Sequence, residues 1–245
     1  DSFRELVDTG CVEILGETYY NSFSWLHSIQ EFDCQVKEHE ALVKRLFGYE
    51  PMVFRNTGFI HDNDLAKHIA GMGYKGMLTD GVVELLNSRS PNQTYAAPGN
   101  GDFGLLLRNA ELSEDIACWI GKAKGSRYAL TAEKFAERVF RDHAGNSCAI
   151  NIFLDYETFG IHKTENTGIF KFLEDLPAAI LSNNAYSFKM PTAALDDCYP
   201  KNIYDVPQTI SMGDDLNNGN KLCHSIRQNE MLRKIYKLQA LIYET

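Results

Sequence analysis

The 245-residue chain has no basic surplus: 24 Lys and Arg stand against 33 Asp and Glu, a net charge of −9. A binder of the phosphate backbone needs a basic stripe, so nucleic acid is not an expected partner. Nor does any apolar run approach the ~18 residues of a membrane span, so no membrane is expected as a partner. The six cysteines (Cys11, Cys34, Cys118, Cys148, Cys198, Cys223) include no CxxC pair. Tetrahedral zinc sites use closely spaced Cys and His, so no structural metal is predicted. Cysteines this dispersed predict reduced, partly buried thiols of a cytoplasmic protein. Internal repeats and low-complexity tracts are absent. What remains is a globular composition, with 44% hydrophobic, 11% aromatic and 23% charged residues, enough for a sizeable core.

Two rhythms alternate along the chain. Short β-rich runs occupy Cys11–Leu15, Met52–Phe54, Gly76–Thr79 and Ala149–Leu154. Between them, Phe32, Val36, His39, Val43, Leu46 and Phe47 fall on one helical face, as do Leu65, Ile69 and Met72. Helical spacing continues through Phe135, Val139 and Phe140 and through Ile169, Phe170, Leu173 and Leu176. Strand–helix alternation predicts an α/β fold with parallel strands, in a barrel or a doubly wound sheet. Ser88–Asp102, rich in Gly, Pro, Asn and Ser, reads as a long loop. From about Ala193 strand signals stop, and Leu222–Tyr243 is strongly helical. The organisation predicted is a barrel-type domain over residues 1–192 and the start of a helical region over 193–245. The chain opens on Asp1 inside a helical pattern, so it reads as a piece of a longer protein.

In parallel α/β folds the chemistry gathers at the carboxyl ends of the strands. The run 149–154 ends in Asp155, then Tyr156, Glu157, Thr158, Phe159, Gly160, Ile161 and His162; the run 76–79 ends in Asp80 and Gly81. Glu13 lies within the first run, and Arg55, Asn56 and Thr57 follow the second. Two carboxylates facing each other from strand ends, among aromatic and His side chains, suit glycosidic bond cleavage. Strand-end Asp residues also cap helices and order turns, so both readings stand at this point. Trp25 and Trp119 suit sugar platforms, but a Trp is more often core or half-buried packing. His61, Asp64 and His68 recur at i, i+3 and i+7 but lack a tighter His pair, and no metal or other cofactor is predicted.

The segment Ile152–His162 (IFLDYETFGIH) resembles the fourth signature region of glycoside hydrolase family 57, in its α-amylase branch. Gly10–Tyr20 (GCVEILGETYY) resembles the second region, and Phe54–Thr57 (FRNT) with Gly73–Gly81 (GYKGMLTDG) the third. Arg89–Asn92, Leu105–Asn109 (LLLRN), Leu112–Ala117 (LSEDIA), Thr167–Leu173 and Asp205–Ser211 match in order as well. The resemblance implies a (β/α)7-type barrel, incomplete at its N-terminus because the first signature would lie upstream of Asp1, followed by a helical region. It implies retaining chemistry on α-1,4-glucans, with α-glucan or maltooligosaccharide as partner. The general acid/base maps onto Asp155 and the nucleophile position onto Asp80. Glu13, Trp119, Glu157, His162 and Asp214 are the implied substrate-binding residues. Asp at the nucleophile position is a departure, since the family carries Glu there. The missing methylene withdraws the carboxylate by roughly 1.5 Å, and retaining enzymes hold their carboxyls only about 5–5.5 Å apart. An attenuated enzyme is therefore expected. Further departures, at Asn21, Gly58, Ile161 and Met212, leave open a homologue that binds α-glucan without turnover.

Overall fold

The computed structural model describes residues 2–121, 130–142, 147–212 and 226–238. In chain order its elements are α1 (Ser2–Asp8), α2 (Ile29–Phe47), β1 (Val53–Arg55), α3 (Asn63–Gly71), β2 (Gly76–Asp80), α4 (Val83–Leu86), β3 (Thr94–Ala97), β4 (Asn100–Arg108), α5 (Ala110–Trp119), α6 (Ala132–Asp142), α7 (Ile169–Leu181), α8 (Pro191–Asp197), β5 (Asn202–Ile203) and α9 (Ile226–Lys237). The two helices that flank β1 begin on side-chain caps. Ser28 accepts from the Glu31 amide and Asp62 from the Leu65 amide, each satisfying an amide that the first helical turn leaves free. Their apolar stripes then bury Phe32, Val36 and Val43, and Leu65, Ala66 and Ile69.

The sheet runs β1-β2-β4-β3-β5. Strands β1, β2 and β4 are parallel, with Arg55 beside Leu78 and Asp80 beside Arg108. Two extended segments lengthen this parallel set by single bridges, Gly16 to Phe54 on one side and Arg108 to Asn151 on the other. The run 149–154 thus joins the sheet through a single bridge, at Asn151, while the run 11–15 holds no strand pairing itself and the bridge falls just past it, at Gly16. The described strands form an α/β layer of the barrel type that does not close on itself.

Side-chain alternation divides the sheet into two faces. Phe54, Met77, Leu105 and Leu107 pack with α2, α3 and with Tyr204, Val206 and Ile210. Val53, Leu78 and Leu106 point the other way, into a cluster with Leu15, Phe59, Phe153 and Leu195. A third cluster joins α5, α6 and α7 to Ile150, Ile152 and Leu154. On the inner face, α8 comes down onto the strand starts. A Cβ on Gly76 would meet Leu195 Cδ1 at 2.7 Å and collide with the Gly104 carbonyl, and one on Gly104 would collide with Leu195 Cδ2. Only glycine lets the helix approach this closely.

Three expectations are corrected. Ser88–Asp102 is not one long loop: Thr94–Ala97 is a strand antiparallel to β4, and Pro98–Gly99 is its turn. The Gly and Pro that suggested a loop are hairpin punctuation, and Tyr95 between them is fully buried. Strand structure does not stop at Ala193, because Asn202–Ile203 pairs with β3 and Ile210 bridges His61. Polar residues dominate that stretch, yet Tyr204, Val206 and Ile210 belong to the main core. Finally, the cysteines are not all reduced: Cys148 and Cys198 form a disulfide with Cα atoms 5.9 Å apart, while Cys11, Cys34 and Cys118 are free and exposed rather than buried. The pair lies 50 residues apart in sequence, with Cys148 on the segment before Asn151 and Cys198 at the end of α8.

Candidate active site

Because β2, β4 and the 151–155 segment run parallel, Asp80 and Asp155 belong to the same rim, the carboxyl ends of the strands. Alternation from Leu15, Val53, Leu78, Leu106 and Phe153 puts Glu17, Arg55, Asp80, Arg108 and Asp155 on the inner face. Taken in sheet order, their charges alternate in sign. Glu17 pairs with Arg55 at 3.7 Å and Asp80 with Arg108 at 3.5 Å.

Asp155 is exposed and opens the short turn Tyr156–Thr158, where its carbonyl accepts from the Thr158 amide at 3.0 Å. Its segment is pinned from below. The Asn109 amide donates to Asn151 O at 2.8 Å, Asn151 Nδ2 to Leu107 O at 3.1 Å, and the Phe153 amide to Ser113 Oγ at 3.1 Å. A cavity of about 320 Å³ opens beside Asp155, its floor made by Leu15, Leu78, Phe59 and Phe153. Arg55 and Arg108 stand on its wall with Asp155.

Asp80 is placed differently. It is only 3% exposed, and it is not among the residues that line this cavity. Its Oδ1 accepts from the Gly81 amide at 3.1 Å, and Arg108 stands between its carboxylate and the open space. The backbone behind it is fixed by Tyr204, whose hydroxyl donates to Asp80 O and accepts from the Val82 amide, both at 3.0 Å. Burial pushes the Tyr204 phenol far up, so it stays protonated as that donor.

The remaining predicted residues are scattered. Glu157 and His162 are exposed on the loop after Asp155, where the His162 amide donates to Glu157 O at 2.9 Å. Lys163 Nζ donates to Ile120 O at 3.1 Å, which brings this loop against the end of α5, where Trp119 is 37% exposed. Glu13 is occupied elsewhere: its carboxylate accepts from the Thr192 amide at 2.9 Å and from the Thr192 hydroxyl, anchoring the start of α8. Asp214 lies outside the described residues. Trp25 packs on Phe32, with its indole N–H donating to Asp62 at 3.2 Å, in the outer core rather than at the rim. His61 is buried just before α3 rather than on it, and His68 pairs with Asp33 at 2.6 Å. Among the described residues no group of three or more metal-ligating side chains gathers.

Sequence reasoning missed three cavity residues, Arg108, Phe59 and Phe153, and placed Arg55 among the strand-end polar residues without giving it a role. The signal for two of them was present. Phe153 precedes Asp155 by two, so any strand that aims one inward aims both, and Arg108 ends an apolar run just as Asp80 does.

Among known proteins, the chain matches the family described as Glycosyl hydrolase family 57 over residues 1–207. It is 36% identical over 217 residues to a Methanocaldococcus jannaschii protein named "Putative alpha-amylase", covering 87% of this chain and 45% of that relative. Its fold resembles that of a 4-alpha-glucanotransferase from Thermococcus litoralis, with a TM-score of 0.67 at 16% identity over 83% of this chain and 31% of that one. It also resembles a branching enzyme from Thermococcus kodakaraensis solved with glucose, with a TM-score of 0.64 at 14% identity over 85% and 51% of the two chains.

Proposed function

The chain belongs to glycosyl hydrolase family 57, and from that premise we propose that it acts on α-1,4-glucans or maltooligosaccharides by a retaining two-carboxylate mechanism, at an attenuated rate. It spans 45% of its curated relative's length, so the activity and substrate of the whole protein are part of the proposal. The amylase, glucanotransferase and branching enzyme that it resembles support an α-glucan as substrate class. The observation that carries the reading is Asp155: an exposed carboxylate on the wall of a cavity at the carboxyl rim.

In this mechanism Asp155 protonates the glycosidic oxygen while Asp80 attacks the anomeric carbon. Asp155, now a base, then takes a proton from the water that hydrolyses the glycosyl-enzyme. Attenuation follows from the surroundings of Asp80. To attack, its carboxylate must reach past Arg108 and give up the contacts to that residue and to the Gly81 amide. A hydrogen bond to a charged group contributes about 1.5–3 kcal/mol, so losing one slows turnover by roughly ten- to a hundredfold.

One observation favours a second reading, a glucan-binding homologue without turnover: Asp80 is buried behind Arg108 rather than open to the cavity. Reducing-end release from maltoheptaose by the full chain separates the two. Asp155→Asn is expected to abolish release, because an amide cannot serve as acid and then base. Asp80→Glu is expected to raise it at least tenfold. Measurable glucan affinity with no release from either protein would overturn catalysis and leave the binding reading. A cytoplasmic setting is likewise a proposal, checked by whether Cys148–Cys198 is oxidised in protein taken from its native cells.

A further inference from the structure

The floor of the cavity holds a stack that no chemistry discussed so far has used. The Phe59 and Phe153 rings lie 5.2 Å apart at an interplanar angle of 12°, and the Arg55 guanidinium lies over the Phe59 ring, 5.4 Å from its centroid. All three residues line the cavity beside Asp155. Phe59 is held there at a backbone cost. Its φ is +52°, following Gly58 at +60°, and a non-glycine residue in the left-handed region is strained.

The surrounding turn enforces that conformation. The Phe59 amide donates to Asn56 O at 3.0 Å, Asn56 Nδ2 to Ile60 O at 3.2 Å, and the Met212 amide to Gly58 O at 2.8 Å. A ring required only to fill space has little need of a strained backbone, since a neighbouring position in ordinary geometry could supply the same volume. The strain positions Phe59 under Phe153, and Phe153 is partly exposed to the cavity. Phe153 and Asp155 are two residues apart on one extended segment, so they project to the same side at roughly 7 Å spacing.

We propose that Phe153, backed by the strained Phe59 and by Arg55, is the platform against which the apolar face of a glucose unit packs, positioning its glycosidic oxygen for Asp155. Here the assignment rests on the α-glucan reading above and adds to it the residue that orients the sugar. Arg55, held at 3.7 Å by Glu17, completes the wall with donors suited to sugar hydroxyls.

The test is maltoheptaose affinity by calorimetry in the full chain carrying Asp155→Asn, which separates binding from turnover. Phe153→Leu keeps an apolar side chain but removes the flat face, and is expected to raise Kd about tenfold. Phe153→Tyr keeps the face and is expected to stay within about threefold of the parent. In a chain with Asp155 intact, Phe153→Leu should raise KM more than it lowers kcat, the mark of lost ground-state binding. If Phe153→Leu lowers Tm but leaves Kd unchanged, the ring is packing only and the platform is overturned while the glucan reading stands. If the parent binds no maltoheptaose, the glucan reading fails and this assignment fails with it. Should either Phe153 variant not fold, Phe59→Leu removes the backing ring and is expected to weaken binding in the same direction; an unchanged Kd there equally overturns the platform.

Discussion

His61 offers a quantitative test of the packing around the rim. It is fully buried, its ring stacks on Tyr204 at 6.3 Å and 12°, and neither ring nitrogen has a hydrogen-bond partner among the described residues. Burial drives its pKa down from 6.5 to about 4, against a smaller opposing pull from the Asp62 carboxylate. An imidazole with a lowered folded-state pKa binds its proton later than the unfolded chain does. Stability is therefore intact above about pH 6.5 and lost as the pH falls from there toward about 4. At about 1.4 kcal/mol per pH unit, that interval corresponds to about 3 kcal/mol from this one residue. For a chain of this size that is roughly 6–12 °C in Tm. The perturbation is His61→Leu, which fills similar space and removes both unpartnered nitrogens. At pH 7 it is expected to be at least as stable as the parent, since an unsatisfied buried polar atom is removed. Thermal unfolding of both proteins from pH 7 to pH 4 isolates the His61 contribution as the difference between the two curves. The carboxylates titrate in both and cancel. Parallel curves would refute the reasoning and mean that the ring finds a partner or water on protonation.

Two further expectations concern the scaffold. Gly104→Ala should destabilise by about 1–3 kcal/mol because its Cβ runs into Leu195. Leu195→Ala should relieve much of that cost in the double variant, which a chemical-denaturation cycle measures. For the Cys148–Cys198 link, mass spectrometry of unreduced peptides should recover the crosslinked pair, and reduction should cost up to about 4 kcal/mol for a loop of 50 residues. An unchanged Tm in reductant would mean that the link constrains little.

The elements that periodicity dominates were legible in the chain. α2 and α3 follow from their apolar stripes and caps, and Gly76–Asp80, buried along its whole length, reads as the continuous apolar run of a parallel strand. Asp155 was legible for a related reason, as a charge placed directly after such a run. What was not legible depends on partners distant in sequence. β3 reads as loop because its Gly and Pro neighbours are local signals, whereas its burial under Tyr204 comes from more than a hundred residues downstream. The burial of Asp80 is of the same kind. Its position at a strand end was visible, but the Arg108 that covers it is set by the β2–β4 register, which fixes Asp80 opposite Arg108. Glu13 read equally as a site acid and as a paired structural one; its bond to Thr192 fits the second, and nothing near it in sequence announces that partner.

The alternation of charge along the rim, from Glu17 through Arg55, Asp80 and Arg108 to Asp155, bears on how such a site changes over generations. Each member stands beside a neighbour of opposite sign, and the Asp80–Arg108 pair is almost wholly enclosed. Losing one of these enclosed charges removes the other's ion-pair partner, at a cost of up to about 3–5 kcal/mol, a large part of a domain's total stability. Substitutions that remove the charge of Asp80 or Arg108 are therefore accepted in pairs or not at all, whereas charge-conserving ones and those at the less enclosed members of the rim are not bound in this way. A search for a faster enzyme should start from Asp80→Glu, which keeps the pair, and vary Arg108 only in that background.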